Sequence, residues 1–250
     1  MRYKRVTPRR DYQRPPLVEV LFELRFEKNH LDALLPGLLE PLIRDDFPSL
    51  EQAPELLTNQ DRQKNEVSFV NASRTLIARI SRGRFTLSSI RPTGETTYIG
   101  FESLQHGLNK LLQAFCQIHP DCKPTRLSYR YVNHIALPPS PVSMNKLFHL
   151  GTYFPAFLVK PGWINTNFAL DATFRLDQSE GESSVRIQLR PVLTLVGERF
   201  LLDLDCFSET RIELIEVNDW LVDAHNLAGD VFESCIGNEL RELFEEKVIA

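Results

Sequence analysis

Apolar and polar residues alternate most cleanly over PPLVEVLFELRF, residues 15–26. Val18, Val20, Phe22, Leu24 and Phe26 fill one register, and Leu17, Glu19, Leu21, Glu23 and Arg25 the other. A period of two is the signature of a strand with one face in a core. The same period predicts short strands in EVSFVNA, RTLIARIS and RFTLSSIRP, with Ser81, Arg82 and Gly83 as a tight turn. From Thr97 to Ile118 the period becomes helical, with Phe101, Leu104, Leu108, Leu111, Leu112 and Phe115 on one face and a stop before Pro120. The leucines from His30 to Arg44 also have helical spacing, but Pro36, Gly37 and Pro41 interrupt them, which predicts a short, broken helix. Residues 45–65 are polar and read as a loop.

The second half repeats this order. A strand is predicted from Arg126 to Leu137, and a short helix from Ser143 to Leu150 with Ser143 as N-cap. Strands follow from Asn167 to Leu176, Ser184 to Arg190 and Arg199 to Phe207, the first two joined by the hairpin loop DQSEGESS. One long helix closes the chain, its stripe running from Leu221 through Ala224, Ala228, Val231, Phe232, Ile236 and Leu240 to Leu243. Both halves thus read strand, short helix, three-stranded meander, long helix, without alignable identity. The economical packing is an α+β fold, an antiparallel, pseudo-twofold sheet with both long helices on one face. The expected divisions are a flexible basic arm (1–14), a first α+β half (15–122) and a second (123–250), the halves able to form one compact domain.

In such a sheet the first strands of the two halves are antiparallel neighbours near the axis. Glu19 and Glu23 then face Arg126 and Arg130 across the ladder, a register lock contributing about 0.2 to 1 kcal/mol per pair. The functional alternative is a polar floor on which Glu19, Glu23, Arg25, Arg126, Arg130 and His134 bind a partner.

Charge changes the picture at one end only. The net charge of −4 hides a first stretch, MRYKRVTPRRDYQR, with six Arg or Lys against one Asp, which leaves about −9 on the rest of the 250 residues. That balance argues against a nucleic-acid-binding body. The arm cations Arg2, Lys4, Arg5, Arg9 and Arg10, with Tyr3 and Tyr12 interleaved, admit three readings: nucleic-acid binding, docking on an acidic partner protein, or a solvated tail. No run of 18 apolar residues and no signal-peptide core occur, so the expected location is cytoplasmic, with no membrane partner. Cys116, Cys122, Cys206 and Cys235 fit reduced thiols there.

Candidate chemistry is sparse. The spacing in CQIHPDC suggests zinc at Cys116, His119 and Cys122, but a closed site needs a fourth ligand and no second cysteine pair lies nearby, so no metal is expected. Asp171, Asp203 and Asp205 could hold Mg2+, yet Arg175, Arg186 and Arg190 alternate on similar faces and favour ion pairing. His225 lacks a positioned partner, so a hydrogen bond within the fold is the expectation. P-loop, GxGxxG, GxSxG and HExxH patterns are absent from the chain, and with them any catalytic residue or cofactor assignment.

Three landmarks carry a resemblance: PPLVEVLFELRF, the central RLSYRYVNHI and the closing HNLAGDVFESCIGNELRELF. They are similar to those of a sporadically distributed family of prokaryotic conserved hypothetical proteins of this length, which carries no assigned activity. The matching positions are Pro15, Pro16, Glu19, Glu23, Arg25, Arg130, Tyr131, Asn133, His225, Phe232 and Glu233. Gly237 and Asn238 depart from the family's Thr-Asp. The patchy distribution implies partners of an antiviral-defence or toxin–antitoxin type.

These readings converge on a non-enzymatic protein–protein interaction or regulatory module. Its expected surface comprises Glu19, Glu23, Arg25, Arg126, Arg130, Asn133, His134 and His225, and its expected partner is a protein encoded nearby. Nucleic acid is expected at the arm only. The alternatives are a small-ligand or nucleotide sensor, with a pocket lined by Tyr129, Tyr131, Trp163 and Phe174, and a metal-dependent hydrolase or nuclease built on Asp171, Asp203, Asp205 and His225. The first predicts a deep pocket, the second convergent carboxylates, and a protein-binding surface an apolar patch rimmed by charge.

Overall fold

The structure is a computed structural model, and it describes residues 3–27, 34–52, 66–91, 99–136, 144–149, 169–175, 183–194, 197–210 and 212–245. The alternation over residues 15–26 gives strand β1 (Leu17–Phe26), and the meander that follows gives β3 (Val67–Val70), β4 (Leu76–Ser81) and β5 (Arg84–Ile90). A strand that the polar composition of 45–65 concealed, β2 (Ser49–Gln52), pairs with β3. The second half supplies β6 (Pro124–Ile135), β7 (Leu170–Arg175), β8 (Ser184–Thr194) and β9 (Gly197–Ser208). All nine form one antiparallel sheet in the order β2-β3-β4-β5-β1-β6-β9-β8-β7. That order reads the same from the centre outwards in both halves: β1 answers β6, β5 answers β9, β4 answers β8 and β3 answers β7. The pseudo-twofold axis therefore runs between β1 and β6.

Helices α1 (Leu35–Ile43), α2 (Phe101–Ile118), α3 (Met144–Leu147), α4 (Val217–Cys235) and α5 (Asn238–Leu243) pack on one face. The even positions of β1 supply that face, with Val20, Phe22 and Leu24 fully buried under Leu104, Leu108 and Phe115 of α2 and Val217, Leu221 and Ala228 of α4. A smaller core joins Ile135, Leu189, Leu202 and Leu204 to Phe148, Ile236, Leu240 and Phe244.

Three differences from the sequence reading have local causes. Residues 35–43 form an unbroken helix because Pro36 lies in the first turn, where an N–H has no intrahelical acceptor, although Pro41 sits inside. The closing helix is two helices, since Ile236 turns extended and Gly237 caps α5. Gly237 donates its N–H to Leu147 O at 2.6 Å, and a Cβ there would overlap the Lys146 carbonyl. A residue with a Cβ at this position could not approach the end of α3 as closely. Finally, β8 runs past Arg190 through Pro191 as far as Thr194, because its pairing with β9 continues over that stretch.

Candidate functional site

The register between β1 and β6 differs from the one expected. Glu19 lies opposite Val132, Glu23 opposite Ser128, Leu21 opposite Arg130 and Arg25 opposite Arg126. On the other side of β1, Arg25 also lies opposite Arg84. The central strands therefore carry a row of three arginines, Arg84, Arg25 and Arg126, in place of the alternating lock. Adjacent strands are about 5 Å apart, and like charges directly opposite are destabilising.

Carboxylates beneath the row hold it together. Glu23 accepts a hydrogen bond from Arg25 Nε at 2.7 Å and lies 3.6 Å from Arg84 Nη1 and 4.0 Å from Arg126 Nε. Arg84 reaches Glu66 at 2.9 Å, while Arg126 reaches Asp205 at 3.0 Å and Glu209 at 2.6 Å with its guanidinium over the Phe207 ring. Arg130 grips Asp203 with two hydrogen bonds, the Nε one at 2.6 Å. Two of the acids lie inside their arginines, Asp203 and Glu23 side chains being 2% and 10% exposed against 42% and 51% for Arg130 and Arg25, whereas Arg126 is 16% exposed beside Asp205 at 19% and Glu209 at 67%. Long side chains lying over short ones also bury Ser88, Thr86 and Ser128 on this face.

Hydrogen bonding to Asp203, reinforced by attraction from Asp205 and Glu19, keeps the Arg130 guanidinium more firmly protonated than usual. Burial raises the Asp205 carboxyl above its ordinary range, even though Ser128 donates to it at 2.5 Å. Half-buried Leu21, Ile77, Ile90 and Val132 lie on the same face between the charged groups. None of the described helices packs on it.

Glu19, Glu23, Arg25, Arg126, Arg130 and His134 thus share the open face, as their parity implied. Asn133 and His225 do not. Asn133 points to the helix layer beside a bulge between Leu17 and Glu19, is 1% exposed and donates its amide to Leu202 O at 3.0 Å. Under the helices, His225 Nδ1 lies 2.7 Å from Tyr131 Oη, and its ring stacks on Phe101 at 3.9 Å. Burial, with Arg9 and Arg5 nearby, pushes the His225 pKa down to about 4. His134 is also lowered, by burial and then by Arg91 and Arg199.

The arm's acidic partner is in the same chain. Asp230 of α4, 4% exposed, accepts hydrogen bonds from Tyr3 Oη, Val6 N and Thr7 N, each at 2.8 Å, and from Thr7 Oγ1. Arg5 Nε lies 3.6 Å from Asp230, its guanidinium over Gly229, where a Cβ would meet it at 2.7 Å. Glu233, one turn on, accepts from Tyr12 Oη at 3.0 Å and neighbours Arg10 and Arg241, each at 3.4 Å. Tyr12 sits edge-on to Phe232 and Phe244. An arm expected to be flexible is seated along a helix from Tyr3 to Arg14, and Arg5 and Arg10 are engaged there. Lys4 and Arg9 stay exposed, with Arg9 3.4 Å from Asn226, and Arg2 lies outside the described residues. The sequence signal was present: Asp230 and Glu233 are two acids one turn apart beside the apolar stripe of α4.

The alternative chemistries place differently. Asp171 takes two hydrogen bonds from Arg186, Asp203 two from Arg130, and Asp205 bonds to Arg126 and Ser128, while His225 lies across the sheet from all three. Among the described residues no three His, Cys, Asp or Glu converge as metal ligands. His119 packs its ring against Phe26 and Phe115, and Cys122 is in the core. Tyr129 and Tyr131 are under the helices, Phe174 is three strands away on β7, and Trp163 lies outside the described residues. A cleft of about 380 Å³ lies elsewhere, lined by Asp46, Phe47, Asn71, Glu102, His106 and Lys110. Lys110 bonds Asp46 across it at 2.5 Å, and the Asn71 amide is engaged in its own turn. No described helix is long and apolar enough to cross a membrane. No family model, curated protein or solved structure matches this chain.

Proposed function

We propose that the chain is a non-enzymatic interaction module that receives another protein, a regulator or effector encoded nearby, on the open face of its sheet. One observation carries the reading. This face, on which none of the described helices packs, sets half-buried Leu21, Ile77, Ile90 and Val132 among arginines each held by a carboxylate, so apolar contact and fixed polar groups share one surface. Protein interfaces combine an apolar centre with a polar rim and favour arginine. Carboxylates each bound to an arginine are poor general bases, and His225 is remote from them. The arm contributes less than its charge suggests, because α4 already holds it.

The experiment is affinity purification of the tagged protein from the organism that encodes it, beside Leu21→Asp on the open face and Leu38→Asp on α1. Leu34, Leu38 and Leu42 form a second exposed apolar line, which makes α1 the fair comparison. The expected result is a stoichiometric protein lost with Leu21→Asp and kept with Leu38→Asp. An eluate containing only this chain, or a partner lost with Leu38→Asp alone, overturns the assignment.

A further inference from the structure

We propose that the partner engages this face through an acidic segment, with one of its side-chain carboxylates received by the fork of Arg25. The proposal rests on the reading of the open face as a docking surface and names the chemistry of what docks. Arg25 is on β1, the fifth of nine strands, flanked directly by Arg84 and Arg126. Three like charges in line oppose the sheet's own stability, and Glu23 is shared among all three.

The flanking arginines have further acids: Glu66 for Arg84, and Asp205 and Glu209 for Arg126. Among the described residues Arg25 donates only through its Nε–H, toward Glu23. Among the described residues neither terminal nitrogen has a hydrogen-bond acceptor, the side chain is 51% exposed, and two parallel N–H groups match a carboxylate bidentately. Glu23 also fixes the guanidinium beforehand, so less side-chain entropy is lost when the carboxylate arrives. A carboxylate is favoured over a nucleic-acid backbone because exposed Glu27 and Glu209 flank the row and leave a single open fork between acids. Isolated carboxylates can pass between those acids, whereas a continuous polyphosphate would meet them.

The test titrates the full chain with a short peptide whose glutamates are spaced by serine and glycine, following the arginine Nε–Hε resonances by NMR, with the same peptide carrying glutamine in their place and oligothymidylate of equal length as comparisons. The expected result is a shift at Arg25, no shift with glutamine, and affinity falling about tenfold or more in Arg25→Gln. Arg25→Lys keeps the charge without the fork and should lose most of that affinity. Binding that Arg25→Gln leaves unchanged, full affinity in Arg25→Lys, or tighter binding of oligothymidylate at the same resonances overturns the proposal. The two readings fail separately. A captured partner that leaves Leu21→Asp but stays on Arg25→Gln preserves the docking face and removes the carboxylate anchor. Peptide binding at Arg25 without any captured protein does the reverse.

Discussion

Replacing Asp230 with alanine should release the first part of the arm while leaving the second part docked. The Asp230 carboxylate is buried and gathers four hydrogen bonds from Tyr3, Val6 and Thr7, with Arg5 nearby. Hydrogen bonds to a charged group contribute roughly 1.5 to 3 kcal/mol each, so a simple sum would exceed 6 kcal/mol. That sum cannot be realised. Residues 3–7 lie near a chain end and can exchange their lost partner for water, so the loss stops at the free energy with which this stretch docks. About 2 to 4 kcal/mol is the expected cost, which for a chain of this size lowers Tm by roughly 4 to 16 °C.

Hydrogen exchange reads the effect residue by residue. The Val6 and Thr7 amides, which donate to Asp230, should lose their protection. The Gln13 and Arg14 amides, which donate to Glu245 O and Phe244 O, should keep theirs because Tyr12 remains on Glu233. His225 supplies an independent readout. Its pKa near 4 depends on burial and on Arg9 and Arg5, so release of the arm should raise it toward 6.5. Unchanged protection at Val6 and Thr7 in Asp230→Ala would refute the clamp, as would uniform loss across the whole arm with its two anchors acting as one.

Acidification should weaken the wild-type fold in two stages. His225 has a folded pKa below its unfolded value, so the unfolded chain takes the proton first and stability falls as pH drops from about 6.5 to about 4, by up to roughly 3 kcal/mol. His225→Gln should flatten that limb of a denaturation series. For Asp230, burial alone would raise the pKa, but the bonds from Thr7, Val6 and Tyr3 outweigh it and hold it low. Its contribution is present above the unfolded carboxylate value and is lost only as pH falls through the folded pKa. Arg130→Ala should destabilise by about 3 to 5 kcal/mol in urea titration because it strands the buried Asp203 charge, and removing Asp203 as well should recover much of that. Arg25, half-exposed with one hydrogen bond, is for that reason the cleaner probe of binding. Gly237→Ala should cost several kcal/mol by forcing α5 from Lys146, whereas Gly229→Ala need only displace the Arg5 guanidinium and gains helix propensity of up to about 1 kcal/mol; a similar loss at both sites, measured by thermal unfolding, would contradict the packing.

Strand periodicity and helical spacing were enough to lay out the α+β plan, because both follow from which side chains must leave water. The even positions of β1, the stripe of α2 and the order shared by the two halves all fell where burial put them. Strand β2 escaped notice since SLEQ has little apolar pattern and is held by its pairing with β3. The break at Ile236 escaped because an apolar stripe continues through it. Pairing partners were legible as a set and wrong in detail: parity alone puts Glu19, Glu23, Arg25, Arg126 and Arg130 on one face, but a shift of two residues preserves parity. Register is fixed by the bulge at Leu17 to Glu19 and by cores that meet only in three dimensions. That register turned an expected charge alternation into the row Arg84, Arg25 and Arg126, with Glu23, Glu66, Asp205 and Glu209 as supports. The arm shows the same division. Its charge could be counted along the chain, but Asp230 lies more than two hundred residues from Tyr3, and only folding brings that carboxylate to it. Sequence fixes which groups seek burial or compensation, because that depends on the residue alone. Tertiary structure chooses which of many equivalent partners each one meets.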